Sequence, residues 1–464
     1  MTDLAFTPAL ELARLIRKRE ISPLELTELY LDRISRFNPQ LGSYFTVMAE
    51  SAIADSRYKT EILANTRETA LPPFFGVPIS IKDLNAVAGV TCTYGNPTLV
   101  NNIPNYDDGV VTKIKQAGFV ILGKTATSEL GSYPYTEPPG FPPARNPWNL
   151  EYTPGGSSGG AASAVAAGLC AIAQGSDGGG SIRVPAACCG LVGIKPARGR
   201  VTNAPGTSII ATSGPLARTV ADAAAMLDAI SGYFPGDPFW LNDPEPCFLE
   251  SRTKVGLNIA FSTSIPSVGE ADGNGQQGVL KAVRLLEELG HNVVEKCPDI
   301  SGLVQPFQVV WQAGVAAARI PPQILQPLNQ FLLERTGSAG EYLQAVTQMQ
   351  ILSRQIVSFF DPIDILVLPV YLHSPMKIGE WSQLNPDDTL ERIIKWIAPC
   401  PIANATGLPA ISIPMGFDAN GLPLSVQLIG KPAAESTLIS IASQLEMVNP
   451  WVQYCDLPKS SKNY

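Results

Sequence analysis

Two glycine clusters, each carrying serine, lie close together in the chain: Gly155-Gly156-Ser157-Ser158-Gly159-Gly160 and Gly175-Ser176-Asp177-Gly178-Gly179-Gly180-Ser181. Glycine admits positive φ and lets a backbone come close to a ligand. Each cluster could therefore turn main-chain N–H groups inward around a reacting oxygen. Serine in such a turn is a candidate nucleophile, provided that a base is within reach. The chain has only two histidines, His291 and His373, which nearly excludes a histidine-built zinc site and leaves little for imidazole catalysis. Neither cluster has the lysine of a phosphate-binding Gly-x-x-x-x-Gly-Lys-Ser/Thr loop, and neither spells Gly-x-Gly-x-x-Gly.

Residues 155–159 do match Gly-x-Ser-x-Gly, the nucleophile elbow of serine hydrolases. An elbow follows a buried apolar strand, whereas Glu151-Tyr152-Thr153-Pro154 precedes this one. It would also need a histidine. His291, after Gly290 at a helix end, reads as surface; His373, after an apolar strand, is the base left to that scheme. Lysine is the other base. Residues 75–83 alternate like a strand, with Ile79 and Ile81 facing one way and Ser80 and Lys82 the other. By spacing alone Lys82 reads as an exposed edge-strand lysine, which Pro78 would allow. Buried, it would serve a serine, because desolvation moves a lysine from about 10.4 towards neutrality.

Helix and strand alternate around these loops. Residues 9–19 have helical periodicity, and Ser22-Pro23-Leu24-Glu25 is a capping box opening a second helix. Residues 109–118 predict a helix and 119–123 a buried strand, an α/β pattern. Tyr133 to Trp148 is a proline- and aromatic-rich loop running into the first cluster, and an apolar helix-and-strand connector joins the two clusters. Strands are expected at 191–194, 255–261, 292–295, 363–369, 410–414 and 424–429. Helices are expected at 182–189, 219–230, 278–289, across much of 300–360, and at 435–445. With no repeat or clear linker, one large domain over 1–464 is expected, its core block at about 70–230 and a less regular part at about 235–390 over the site.

The bulk numbers narrow the function. The chain has 464 residues, 45% apolar, with a formal net charge of −8, which argues against a nucleic-acid surface. No stretch approaches the ~18 apolar residues of a membrane span, and the N-terminus lacks a signal-peptide pattern. Eight scattered cysteines without a Cys-x-x-Cys pair suit a reduced, cytoplasmic protein with buried thiols. Disorder is expected only in the tail, Lys459 to Tyr464.

Taken together, these residues resemble the amidase signature family. Gly155 to Gly160, followed 24 positions after Ser157 by the serine of Gly179-Gly180-Ser181-Ile182-Arg183, is that family's defining block. Asn146-Pro147-Trp148, Asp177 and Gly193-Ile194-Lys195-Pro196 belong with it. Gly76 to Asp83 matches the lysine segment, and Gly214 to Thr219 and Asn404 to Ala410 match flanking blocks. The resemblance covers effectively the whole chain. It implies a single α/β domain whose mixed, mostly buried sheet is covered by helices on both faces.

It further implies amide hydrolysis with Ser181 as nucleophile, Ser157 as bridging serine behind a cis Gly156–Ser157 bond, and Lys82 as base. The N–H groups of Gly178, Gly179, Gly180 and Ser181 would form an oxyanion hole. Gly178 stands where many members have Thr, Ile or Ala. Asp177 and Arg183 are expected to support the loops rather than react. No cofactor or metal is implied. The partner expected is a small-molecule amide, without nucleic acid or membrane; a homodimer is the assembly left open. The segments 123–138 and 231–237 are similar to the branch containing the hydrolase of cyclic 6-aminohexanoate dimer, and Gly131 and Ser132 are expected to line the pocket. Thr202-Asn203-Ala204-Pro205-Gly206 departs from the glycine- and serine-bearing segment of amidotransferase glutaminase subunits. That subunit role and a catalytically silent binding homologue are the alternatives.

Overall fold

The structure, a computed structural model, describes residues 4–206, 208–451 and 455; the tail expected to be disordered lies outside them. Helix α1 spans Ala9–Arg17 and buries Leu12, Ala13 and Ile16 on one face. Helix α2, Pro23–Leu41, opens with the expected capping box: Ser22 accepts the Glu25 N–H and the Glu25 carboxylate accepts the Ser22 N–H. Then come β1 (Tyr44–Val47), α3 (Ala49–Asn65), β2 (Pro78–Lys82), α4 (Gly109–Gln116) and β3 (Val120–Thr125). The two clusters sit around α5 (Gly159–Ala166), β4 (Ile172–Asp177) and α6 (Arg183–Cys189). Next are β5 (Val192–Lys195), β6 (Thr212–Ala217) and α7 (Val220–Ile230), the last capped by Thr219, whose side chain accepts the Asp222 N–H.

The region 235–390 contributes strands as well as helices. It holds β7 (Asn258–Phe261), the small hairpin β8 (Ser264–Ile265) and β9 (Gly269–Glu270), α8 (Gly273–Glu288) and β10 (Asn292–Glu295). There follow α9 (Val304–Ala317), α10 (Pro327–Glu334), α11 (Ala339–Ser358), β11 (Ile365–Pro369) and α12 (Pro386–Ile397). The chain closes through α13 (Pro401–Thr406), β12 (Ala410–Phe417), β13 (Pro423–Gly430) and α14 (Glu435–Val448).

Eleven strands form one sheet in the order β1-β3-β2-β4-β6-β5-β12-β13-β11-β7-β10. It is mixed: β3, β2 and β4 run parallel, as do β11, β7 and β10, and antiparallel pairs join the two blocks. Every residue of β2, β3, β5, β6 and β11 is buried, so both faces are covered. One single-domain α/β fold results. Among the described residues no helix is long and apolar enough to cross a membrane.

Two expectations fail here for the same reason, that covering elements are invisible to local spacing. Strand β2 lies between β3 and β4 rather than at an edge, so Lys82 is fully buried although Pro78 opens the strand. His291 is not at the surface; it is 6% exposed, and its Nδ1 accepts the Leu257 N–H at 3.3 Å.

Candidate active site

Because β2 and β4 are parallel neighbours, their carboxyl ends meet at one edge of the sheet, where open α/β sheets bind ligands. Lys82 is the last residue of β2, and Asp177, last in β4, begins the turn that carries residues 178–181 into α6. The Lys82 N–H donates to Gln174 Oε1 at 3.1 Å, which fixes the strand end. Its Nζ donates to Ser157 Oγ at 2.7 Å, to Ser176 Oγ at 3.1 Å and to the Ser176 carbonyl at 3.3 Å. Burial pushes the Lys82 ammonium down to about 7, against the opposing influence of the Asp177 charge. The adjacent carboxylate, Asp83, does not pair with Lys82. It takes Lys124 Nζ at 2.8 Å and the Thr93 N–H and hydroxyl, all buried. Lys82 is thus left to two hydroxyls and the Ser176 carbonyl.

The Gly156–Ser157 peptide is cis, as expected. The Thr136 hydroxyl donates to the Gly155 carbonyl at 2.9 Å, tying the cluster to the aromatic-rich loop. The two clusters touch directly: the Ser158 N–H donates to the Ser181 carbonyl at 3.2 Å, and the Ser158 hydroxyl to the Ser176 carbonyl at 3.2 Å. Gly131 packs on Ser157. It holds φ +71°, and a Cβ there would stand 3.2 Å from Ser157 Oγ and 3.0 Å from Leu84 Cδ1.

An ion pair shapes the second cluster. Arg183 and Asp177 are fully buried, with Nε and Nη2 donating to the two carboxylate oxygens at 3.0 and 2.9 Å. Arg183 Nη1 also donates to the Cys400 carbonyl and Gln427 Oε1, and Asn404 Nδ2 donates to Asp177 Oδ1 at 2.9 Å. Burial alone would raise the Asp177 carboxyl, but the Arg183 charge and these bonds hold it well below the usual carboxylate range.

This network corrects one expectation. The Gly180 N–H does not face the cavity; it donates to Asp177 Oδ1 at 2.7 Å, and the backbone turns through φ +124° to do so. The carboxylate competes successfully for that amide because a charged acceptor makes the stronger bond. Among the described residues the N–H groups of Gly178, Gly179 and Ser181 have no partner.

Ser181 and Gly178 to Gly180 line a cavity of about 190 Å³, with Gly131, Gly156, Val184, Ile210, Phe307 and Trp311 around them. Ser132 lines an adjoining cavity of about 640 Å³. Lys82 and Ser157 sit behind this wall, and no hydrogen bond joins the Ser157 and Ser181 hydroxyls. His373 lines neither cavity. Its ring stacks on Trp396 and its Nδ1 lies 2.9 Å from the Ser374 carbonyl. Sequence reasoning missed Ser176, Phe307 and Trp311. The two aromatics stand at i and i+4 of α9, a spacing that marks one helix face but not what that face covers.

A family model described as Amidase matches residues 25–439. A protein of Synechocystis sp. named "Putative amidase" is 55% identical over 452 residues, which cover 96% of this chain and 89% of that protein. Among solved structures, 6-aminohexanoate cyclic dimer hydrolase complexed with substrate aligns with TM-score 0.91 and 28% identity, over 98% of this chain and 100% of that one. A bacterial aryl acylamidase of the amidase signature family aligns with TM-score 0.87 and 25% identity, over 98% and 99%.

Proposed function

This chain belongs to the amidase signature family of amide hydrolases, and we propose that it cleaves an apolar small-molecule amide through an acyl-enzyme on Ser181. The observation that carries the reading is the buried Lys82 amine, pushed to about 7 and 2.7 Å from Ser157 Oγ. At that value a large fraction of the amine is neutral at physiological pH and able to accept a proton.

In this scheme Ser181 Oγ attacks the amide carbonyl carbon. The Ser181 proton passes to Ser157 while the Ser157 proton passes to Lys82. Hydrogen bonds of this kind tighten on substrate binding, which brings the two hydroxyls into contact. The oxyanion is met by the free amides of Gly178, Gly179 and Ser181, where loss of one donor typically costs about 3 kcal/mol. Collapse breaks the C–N bond, and the proton returns from Lys82 through Ser157 to the leaving amine. Water then attacks the ester, releasing the carboxylic acid and restoring Ser181.

Apolar substrates are favoured because, among the described residues, the cavity at Ser181 has no Asp, Glu, Lys or Arg in its lining. Glutamine, with its ammonium and carboxylate, would find no charged partner there, so the glutaminase-subunit reading is the weaker one. The similarity to an aryl acylamidase and to a cyclic-amide hydrolase supports the same class. A serine-directed fluorophosphonate tests the nucleophile: wild type should be labelled and Ser181→Ala should not. Absence of labelling in both, or labelling that persists in Ser181→Ala, would overturn the assignment.

A further inference from the structure

Three cavities meet at Trp311. The one at Ser181 is bounded by Phe307, Trp311 and Ile397. These three residues also form a wall of a second pocket of about 60 Å³, whose other sides are Val268, Ile300, Leu303, Ile393, Ile394 and Ala398. Leu130, Ser208, Ile210 and Trp311 are shared with the cavity of about 640 Å³. That one reaches solvent, since Gly314 and Ala317 in its lining are exposed. The Phe307 ring rests against the glycine turn itself: a Cβ built on Gly179 would lie 3.7 Å from Phe307 Cζ.

Resting on the acyl-enzyme reading above, we propose that the substrate is an amide with a short apolar acyl group and a larger neutral amine, and that Phe307 sets the acyl length. The two halves of an amide have different fates. The acyl group stays bonded to Ser181 until water attacks, so it suits the smaller chamber, which Ser181 itself lines. The amine must leave first, so it suits the wide chamber that opens to solvent. Both chambers are walled by neutral side chains among the described residues, which excludes a charged group at either end. Phe307 stands between the acyl chamber and the apolar pocket behind it, so its ring is the stop that a growing acyl chain meets.

The experiment uses two series of amides. In the first the amine is p-nitroaniline and the acyl group grows from acetyl to decanoyl. In the second the acyl group is acetyl and the amine grows from methylamine to naphthylamine. Wild-type kcat/KM should fall about tenfold or more per methylene once the acyl chamber is filled, and stay level or rise as the amine grows. Phe307→Ala should move the acyl cut-off outward by two or more carbons, and Phe307→Leu by less. Wild type that turns over decanoyl and acetyl amides alike would overturn the inference, as would a cut-off unmoved in a Phe307 variant that fluorophosphonate still labels. Such labelling reads Ser181 without either series, so a flat acyl series in a labelled protein defeats the size rule alone. An unlabelled wild type defeats the acyl-enzyme reading and this inference with it. Should Phe307→Ala fail to fold, Phe307→Leu and the wild-type series decide the matter.

Discussion

Lys82 and Lys195 share most of what burial gives a lysine and differ in what their amines touch. Each is the last residue of a strand in the same sheet, and each is almost completely inaccessible. Burial pushes both to about 7; for Lys195 the Arg183 charge adds to the fall, and the Asp177 charge opposes it in both. Yet Lys82 Nζ reaches the Ser157 and Ser176 hydroxyls, whereas Lys195 Nζ donates at 2.8 Å to the carbonyl of the next residue, Pro196. A lowered pKa is therefore no mark of function by itself. A proton acceptor also needs a group that can hand it a proton, and a cavity where that transfer does work. Of the two, it is Lys82 that has a hydroxyl at hydrogen-bond distance behind a cavity wall.

The largest effect should come from Lys82→Ala. Losing the base should lower kcat/KM on an anilide by on the order of 10³–10⁴-fold at neutral pH. In wild type kcat/KM should climb with pH through about 7, because only the neutral amine accepts a proton. The variant should lack that limb and recover partly in alkali. A limb that survived in Lys82→Ala would reverse the comparison. Next in size is Asp177→Asn, which removes one partner of a buried ion pair and leaves the Arg183 charge uncompensated. Its expected cost is about 3–5 kcal/mol of stability, read by denaturant unfolding. Because the Asp177 charge raises both lysines, any active Asp177→Asn protein should show its kcat/KM limb displaced to lower pH.

How much of this was legible in the residues follows from which forces are local. The capping box at Ser22, the cap at Thr219 and the strand Asn292–Glu295 depend on near neighbours and stand where periodicity and capping rules put them. The serine loops were legible because glycine in such density has few other uses. The burial of Lys82 was not, since alternation reports two faces but not that helices cover both. Nor was the fate of the Gly180 amide, which is decided by the Asp177 carboxylate three residues earlier; that carboxylate is itself held by Asn404 from the far end of the chain. Phe307 and Trp311 come from α9, more than a hundred residues after Ser181, and only the packed chain brings them to the cavity.

The smallest effect sharpens the comparison most. Lys195→Met removes a buried amine that no hydroxyl uses, so kcat/KM should stay within about tenfold of wild type. Stability should move the other way. Above its ordinary value of 10.5 the amine is neutral folded or unfolded, and burying it carries no charge penalty. Below about 7 it is charged in both states, and the folded protein bears the full penalty of holding the charge inside. Between those limits the unfolded chain binds the extra proton, so wild-type stability gains from this group as pH rises. Lys195→Met should then be more stable than wild type by on the order of 1–3 kcal/mol at pH 6, after allowance for the lost bond to Pro196. That margin should shrink steadily towards pH 10. Unfolding curves across this range check the sign, and a margin that grew with pH would mean that Lys195 is held by a partner rather than merely buried.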